Sequence, residues 1–291
     1  MRGILLAGGT GSRLWPSTSS VSKQLLPIYN KPMIYYSLTS LMLSGVTEIL
    51  IVTTPGQLFL YQELIGNGSQ WGISVEYVTQ DNPRGIPDVL LLAPKNYHSE
   101  NVLMALGDNI LYGAGVGLSL KSIYSGSGAM VFAHEVANPE MFGVVKLDVN
   151  GAPLELQEKP QNSMSNLAIP GIYFFDSTCF ERVNKLKPSK RGELEIVDLL
   201  SSYLSDNKLN VIKLERGTAW LDTGNPISML EASEFVSVLE RQQGLLIGSP
   251  EEVAYRMGYI SLIDLMNLVS LMPKCQYQER LQNLVNHEQI S

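Results

Sequence analysis

The stretch MRGILLAGGTGSRLWP, residues 1–16, decides the fold. Ile4–Ala7 is a short apolar run that empties into glycines, which reads as a first buried strand opening into a loop rather than a signal peptide. Gly8, Gly9 and Gly11 let backbone N–H groups converge on an anion, and Arg13 forks onto phosphate oxygens. A glycine cluster alone reads as a tight strand-to-helix turn. Lys23 and Gln24, in the nearby SKQLLP (residues 22–27), shift the reading: an arginine and a lysine bracket the loop and make a polyphosphate cradle. It is no Walker loop, which needs Gly-Lys where Arg13-Leu14 stands. Nor is it a dinucleotide fingerprint counted from Gly9, because position 14 is leucine.

Outward from the loop, short apolar runs alternate with amphipathic segments. Ile4–Ala7, Glu48–Thr53, Ile73–Val78 and Val102–Leu106 read as strands. Met33–Ser44, Gln57–Ile65 and the stretch after Pro87 carry helical spacing. Such alternation predicts an α/β fold whose sheet is mixed but mostly parallel, Rossmann-like, and covered by helices on both faces. Function in that architecture gathers at the carboxyl ends of the strands. From residue 129 to 176 the texture turns to strands and turns, with Asn150-Gly151 as a hairpin signal. GELEIVDLLSSYL, from residue 192, reads as a helix, Asn210–Leu214 as a strand, and Pro226 to Glu240 as helical. A helical tail starts at Pro250. The expected organisation is a core over residues 1–240 and a helical annex over 241–291. Within the core, the strand–helix alternation spans about 1–113 and a small β-rich part about 129–225.

Composition narrows the partners. Of 291 residues 45% are hydrophobic, and 28 acidic against 21 basic residues give a net charge of −7. An acidic surface repels a polyphosphate backbone, so no nucleic acid is expected as partner. No apolar stretch is long enough for a bilayer, and Cys179 and Cys275 are too few for a disulfide framework. A cytoplasmic chain with no membrane partner is expected. Asp108 closes VLMAL in LGDN, and Asp222 ends an apolar run in WLDTG. Each taken singly reads as a turn-capping aspartate, while hard carboxylates from two elements suit Mg²⁺ shared with phosphate oxygens.

The quoted start, extended through STSSVSKQLLPIYNKPMIYY, resembles the bacterial sugar-1-phosphate nucleotidylyltransferases, and among them the glucose-1-phosphate thymidylyltransferases. The likeness continues through LGDNILYG (106–113), FGVVKLD (142–148), QEKP (157–160), SKRGELEIVD (189–198), WLDTGNPISMLEASEF (220–235) and PEEVAYRMGYI (250–260). It implies transfer of a nucleotidylyl group from dTTP to glucose 1-phosphate or a related hexose 1-phosphate, releasing pyrophosphate. It also makes the stretch over about 1–113 the nucleotide part and the β-rich stretch over about 129–225 the sugar-binding part. Arg13, Lys23, Asp108 and Lys159 are then catalytic, and Asp108 and Asp222 hold Mg²⁺. Gly8, Gly9, Gly11, Gln24, Gln80 and Gly85 match nucleotide contacts. Asn109, Gly143, Glu158, Lys159 and Arg191 match sugar-phosphate contacts. Gln80 matches the base-reading position, where an amide faces the imide edge common to thymine and uracil, so it does not separate dTTP from UTP. The resemblance further implies a homotetramer with a second nucleotide site at a subunit interface.

Pro87, Asp88 and Pro170 depart from the family on the substrate side. Where the family usually has P-D-G-L-A-Q-A, this chain reads PRGIPDV (residues 83–89), and Pro170 replaces a usual threonine. Asp88 is expected to bring a negative charge near phosphorylated substrates unless Arg84 or a metal pairs with it. Pro170 is expected to withdraw an N–H from the sugar side. These departures open an alternative from another class: a paralogue that binds nucleotide or nucleotide-sugar as a regulatory or partner subunit, with weakened catalysis.

Overall fold

The computed structural model describes residues 1–9, 11–113 and 124–290; Thr10 of the glycine loop and Ser291 of the annex lie outside them. The strands are β1 (Arg2–Leu6), β2 (Pro27–Ile28), β3 (Lys31–Pro32), β4 (Glu48–Thr53), β5 (Ser74–Thr79), β6 (Val102–Leu106) and β7 (Asn109–Tyr112). They continue as β8 (Ala129–Glu135), β9 (Gly143–Leu147), β10 (Pro153–Glu158), β11 (Leu167–Ala168), β12 (Ile172–Phe175), β13 (Leu209–Lys213) and β14 (Ala219–Asp222). The main sheet runs β10-β9-β11-β8-β12-β6-β1-β4-β5, with β13 parallel to β8 off that path. The run β6-β1-β4-β5 is parallel, and β12 lies antiparallel between β6 and β8. This is the expected mixed sheet flanked by helices.

Alternation along β1 and β4 explains the two covered faces. Ile4 and Leu50 pack with the helices Asp88–Leu92, Cys179–Val183 and Ile196–Ser205. Leu5 and Ile51 pack on the other face with Ile34–Leu43 and Leu58–Ile65. With both faces dry, these strands need continuous apolar sequence, as they have. Register then sets the rim: Leu6 pairs with Val52 and with Leu106, so the glycine loop and the Gly107-Asp108 turn leave the sheet at one edge.

Two local readings change. The helix expected from residue 192 begins at Ile196, because Glu195 is extended and Gly192–Glu195 are held as a loop. Leu194 donates its N–H to the Arg84 carbonyl at 2.7 Å, and Ser189 donates to the Glu193 carbonyl at 2.8 Å. The WLD run is β14, paired antiparallel with β7 so that Asp222 faces Asn109.

Beyond the helix Pro226–Gln243, the annex builds its own small core from Leu265, Val269, Leu281 and Val285. Ser249 caps the helix Pro250–Arg256, as its sequence predicts, and Ser261 forms a capping box with Asp264. Leu265 and Val269 face inward, while Ile263 and Leu271 remain 69% and 84% exposed.

Candidate active site

Arg13, Asp108, Asn109, Gly143, Glu158, Lys159, Trp220 and Asp222 line one cavity at the carboxyl rim of the sheet. A neighbouring cavity collects Gly8, Gly9, Gln80, Gly85, Glu158, Lys159 and Arg191. A third, beneath the glycine loop, holds Gly11, Lys23, Gln24 and Asp108. Shared residues make these three one continuous cleft, and every sequence-derived site residue lies along it.

The glycine-loop side is braced from within. Thr18 Oγ1 donates to the Gly11 carbonyl at 2.8 Å, and Gln24, buried, donates through Nε2 to the Gly8 carbonyl at 3.2 Å. The Gln24 Oε1 accepts from Ser22 Oγ at 2.6 Å, so both ends of this amide hold the loop in shape. The Lys23 ammonium contacts the Asp108 carboxylate across the cleft.

Asp108 and Asp222 come together because β7 and β14 pair. Thr223 fastens the junction, donating from N and Oγ1 to the Asp108 carbonyl at 3.2 and 2.8 Å. Burial pushes the Asp222 carboxyl up, and the Asp108 charge pushes it further; Lys23, Arg13 and Lys159 oppose both. The next turn is tight: a Cβ on Gly224 would stand 3.0 Å from Asp222 Oδ2 and 3.4 Å from Arg13 NH2. Two hard carboxylates, with no His or Cys in the lining of this cavity, fit Mg²⁺, which takes one or two carboxylates and fills its remaining positions with phosphate and water oxygens.

On the sugar side, Glu158 ends β10 opposite Gly143 of β9. A Cβ on Gly143 would lie 3.3 Å from Glu158 Oε2. Lys159 follows with φ 42°, a left-handed turn that brings its ammonium back to 3.7 Å from Glu158 Oε1. Burial raises the Glu158 carboxyl above its ordinary value, against the pull of Lys159 and Arg191. Arg191 is clamped by Glu195, Nε to Oε1 at 3.1 Å and NH2 to Oε2 at 2.6 Å. That contact leads among the causes that raise its guanidinium further. Asn109 is held at both ends of its amide: Oδ1 accepts from Gly171 N at 3.1 Å and from Trp220 Nε1 at 2.6 Å, and Nδ2 donates one proton to Asp108 Oδ1 at 3.0 Å.

Of the departures, Asp88 takes the paired form that the sequence left open through Arg84. Asp88 opens the helix Asp88–Leu92 but is only 1% exposed, and it is not a bare charge. Arg84 NH2 lies 3.0 Å from Oδ1, and Gln80 Nε2 donates to Oδ2 at 2.7 Å. Gly85 has φ 102°, and a Cβ there would meet the Leu194 carbonyl oxygen at 2.0 Å, so packing against the 192–195 loop already demands glycine. Ile169 and Gly171 line the sugar-side cavity, while Pro170 between them is buried and accepts from Ile172 N at 2.8 Å.

Sequence reasoning missed Trp220, Thr223 and Glu195. The first two lie in the WLDTG segment singled out for Asp222, and Glu195 lies in the RGELE run read as helix; only the folded pairing shows what they grip.

The Nucleotidyl transferase family model matches residues 2–238. A glucose-1-phosphate thymidylyltransferase of Mycobacterium tuberculosis is 46% identical over 285 residues, 98% of this chain and 99% of that protein. One of Neisseria meningitidis serogroup A is 46% identical over 286 residues, 98% and 99% of the two chains. A crystal structure of a Bacillus anthracis protein assigned as a glucose-1-phosphate thymidylyltransferase, complexed with sucrose, superposes with a TM-score of 0.75 at 35% identity, covering 81% of this chain and 94% of that one. A UDP-glucose pyrophosphorylase complexed with UDP-glucose shares the fold, with a TM-score of 0.70 at 24% identity over 82% and 98% of the chains. With the family model covering residues 2–238 and the relatives nearly the whole chain, this chain belongs to the nucleotidyl transferase family.

Proposed function

We propose that this chain transfers the thymidylyl group of dTTP to glucose 1-phosphate, forming dTDP-glucose and pyrophosphate. One observation carries the reading: Arg13, Lys159 and the Asp108–Asp222 carboxylate pair line a single cavity, with Lys23 reaching Asp108 from the loop side. Near-full-length relatives named for this activity support the choice of substrates.

The sugar phosphate carries its own nucleophile, so no residue is needed to form a covalent intermediate. Its oxygen attacks the α-phosphorus in line, a P–O bond forms, and the α–β bridging bond breaks to release pyrophosphate. Catalysis reduces to positioning and charge neutralisation. The backbone of Gly8, Gly9 and Gly11 cradles the phosphates, and Arg13 and Lys23 neutralise the departing pyrophosphate. Lys159 and Arg191 hold the sugar phosphate, and Glu158, Asn109 and Gly143 face the sugar hydroxyls. Asp108 and Asp222 would hold Mg²⁺, which supplies charge neutralisation of the nucleotide phosphates when bound. Cys179 is buried, and neither it nor a histidine lines the cavity around Lys159.

Against the reading as a regulatory subunit stand the Arg84 counter-charge beside Asp88 and the near-full-length relatives named for the activity. We further infer a cytoplasmic homotetramer, to which the annex over 241–291 contributes. Tyr112, Gly113, Gly248, Glu252 and Arg256 line a separate cavity that suits the expected second nucleotide site. No described helix is long and apolar enough to cross a membrane. Sedimentation at micromolar concentration checks the assembly, a monomer contradicting it. The mechanism is tested with dTTP of defined isotopic chirality at the α-phosphorus: inversion is expected, and retention would require a covalent intermediate and overturn the reading.

A further inference from the structure

Gln80 shares a cavity with an apolar group, Leu6, Val52, Pro83, Ile86 and Val89, and the lining also includes Glu158, Lys159 and Arg191. A flat heterocycle fits against that apolar group, and the amide is then the group that reads its edge. An unrestrained glutamine reads poorly, because rotating the amide by half a turn exchanges its donor and acceptor. Here the exchange is blocked. Asp88 is buried at the start of its helix, and its carboxylate accepts and does not donate. Gln80 Nε2 donates to Asp88 Oδ2 at 2.7 Å; the flipped amide would set Oε1 against a carboxylate oxygen. Among the described residues Asp88 Oδ1 accepts no hydrogen bond, and the Arg84 guanidinium at 3.0 Å is its counter-charge.

We propose that Asp88 is a positioning residue for nucleotide choice: it pins the Gln80 amide so that Oε1 is offered as an acceptor to the base, selecting bases with a ring N–H such as thymine over cytosine. The proposal rests on the reading of this cavity as the nucleotide site. Thymine presents an N3–H donor to that oxygen. Cytosine presents a bare N3 acceptor at the same place and leaves two acceptors opposed. Asparagine at position 88 keeps the size of aspartate but offers either face of an amide, so Gln80 becomes free to turn and accommodate cytosine.

The test is steady-state pyrophosphate release with dTTP and with dCTP, glucose 1-phosphate saturating, in the natural chain, Asp88→Asn, Asp88→Ala and Gln80→Ala. The expected result is that the ratio of kcat/KM for dTTP over dCTP falls roughly tenfold or more in Asp88→Asn. KM for glucose 1-phosphate and the melting temperature should stay near those of the natural chain. A merely structural role would lower both nucleotides in parallel, and either that result or an unchanged ratio overturns the proposal. Should Asp88→Ala fail to fold, the near-isosteric Asp88→Asn decides alone. Gln80→Ala separates the two levels. If it collapses the ratio while Asp88→Asn does not, the nucleotide site stands and the pinning is wrong. If Gln80→Ala leaves the ratio intact, the cavity does not read the base and the proposal falls with it.

Discussion

The Lys23 ammonium spans the cleft to Asp108, whose second carboxylate oxygen accepts from Asn109 Nδ2 at 3.0 Å. This contact ties the glycine-loop side of the cleft to the rim of β6. It sets a cation beside a carboxylate proposed to hold the metal, and on that proposal Lys23 turns from Asp108 toward phosphate as substrate enters. The cleft is charged on both walls: Lys23, Asp108, Glu158 and Asp222 are half-buried, where solvent screens them poorly, while Arg13, Lys159 and Arg191 are exposed.

Arg13→Ala and Asp108→Asn should each lower kcat/KM by about 10²-fold or more, the usual loss when a transition-state charge partner is removed. Their circular dichroism should stay that of the natural chain. Arg13 is exposed, and asparagine at 108 keeps the size of aspartate and the backbone carbonyl that Thr223 grips, so neither substitution undermines the core. Undiminished activity in either variant would place the site elsewhere.

Gly224→Ala is a subtler probe. Its methyl would stand 3.0 Å from Asp222 Oδ2 and 3.4 Å from Arg13 NH2, so both groups must shift by a few tenths of an ångström. Misplacement on that scale should lower kcat about tenfold with little change in melting temperature, since the positioning of reacting groups, and not packing, is disturbed. Rate and melting curves measured on the same preparation check this.

Much of this was legible beforehand, and what was not has a physical reason. β4 and β6 lie where Glu48–Thr53 and Val102–Leu106 place them, because strands dry on both faces need unbroken apolar sequence. The glycine loop, Arg13 and Lys23 announce themselves as a local cluster. The β7–β14 pair does not: both strands are short, they lie far apart in sequence, and their register decides that Asp222 meets Asn109. Gly85 matches a nucleotide contact in the sequence, whereas the demand for glycine there comes from the Leu194 backbone. The Arg84 partner of Asp88 is visible four residues upstream in the sequence, whereas its Gln80 partner becomes a neighbour only once the helix start is folded.

Glu158 sets a pH dependence whose sign follows from its raised carboxyl. Burial is the leading cause that lifts it above the ordinary 4.5, so the folded chain binds that proton more tightly than the unfolded chain. Ionised Glu158 therefore opposes folding. Its contribution is most favourable below the unfolded value and declines as pH rises through the folded one. Glu158→Gln should gain stability relative to the natural chain on going from acid to neutral pH, read from melting temperatures across that range. Its activity should move the other way. The natural chain loses kcat/KM for the sugar phosphate as acid protonates Glu158, while the variant starts low and lacks that limb.

The annex is anchored by a buried ion pair. Lys31 of the β2–β3 hairpin meets Glu240 of the helix Pro226–Gln243 at 2.7 Å, their side chains 2% and 0% exposed. Glu240 also accepts from Ile247 N at 2.9 Å, which fixes the entry to the annex. Lys31→Met leaves that carboxylate buried without its cation and should cost about 3–5 kcal/mol, whereas the double variant Lys31→Met/Glu240→Leu should recover most of the loss. Denaturant unfolding of both variants measures it; equal stability of the single variant would mean the pair contributes nothing.

The most direct test of the central claim is a pyrophosphate-release screen of the four deoxynucleoside triphosphates and UTP against a panel of sugar 1-phosphates, with Mg²⁺ and with chelator. The account predicts fastest turnover with dTTP and glucose 1-phosphate, one dTDP-glucose formed per pyrophosphate released, and no turnover once the metal is chelated. Pyrophosphate release that does not depend on the sugar phosphate, or turnover confined to another nucleotide and another sugar, would contradict it.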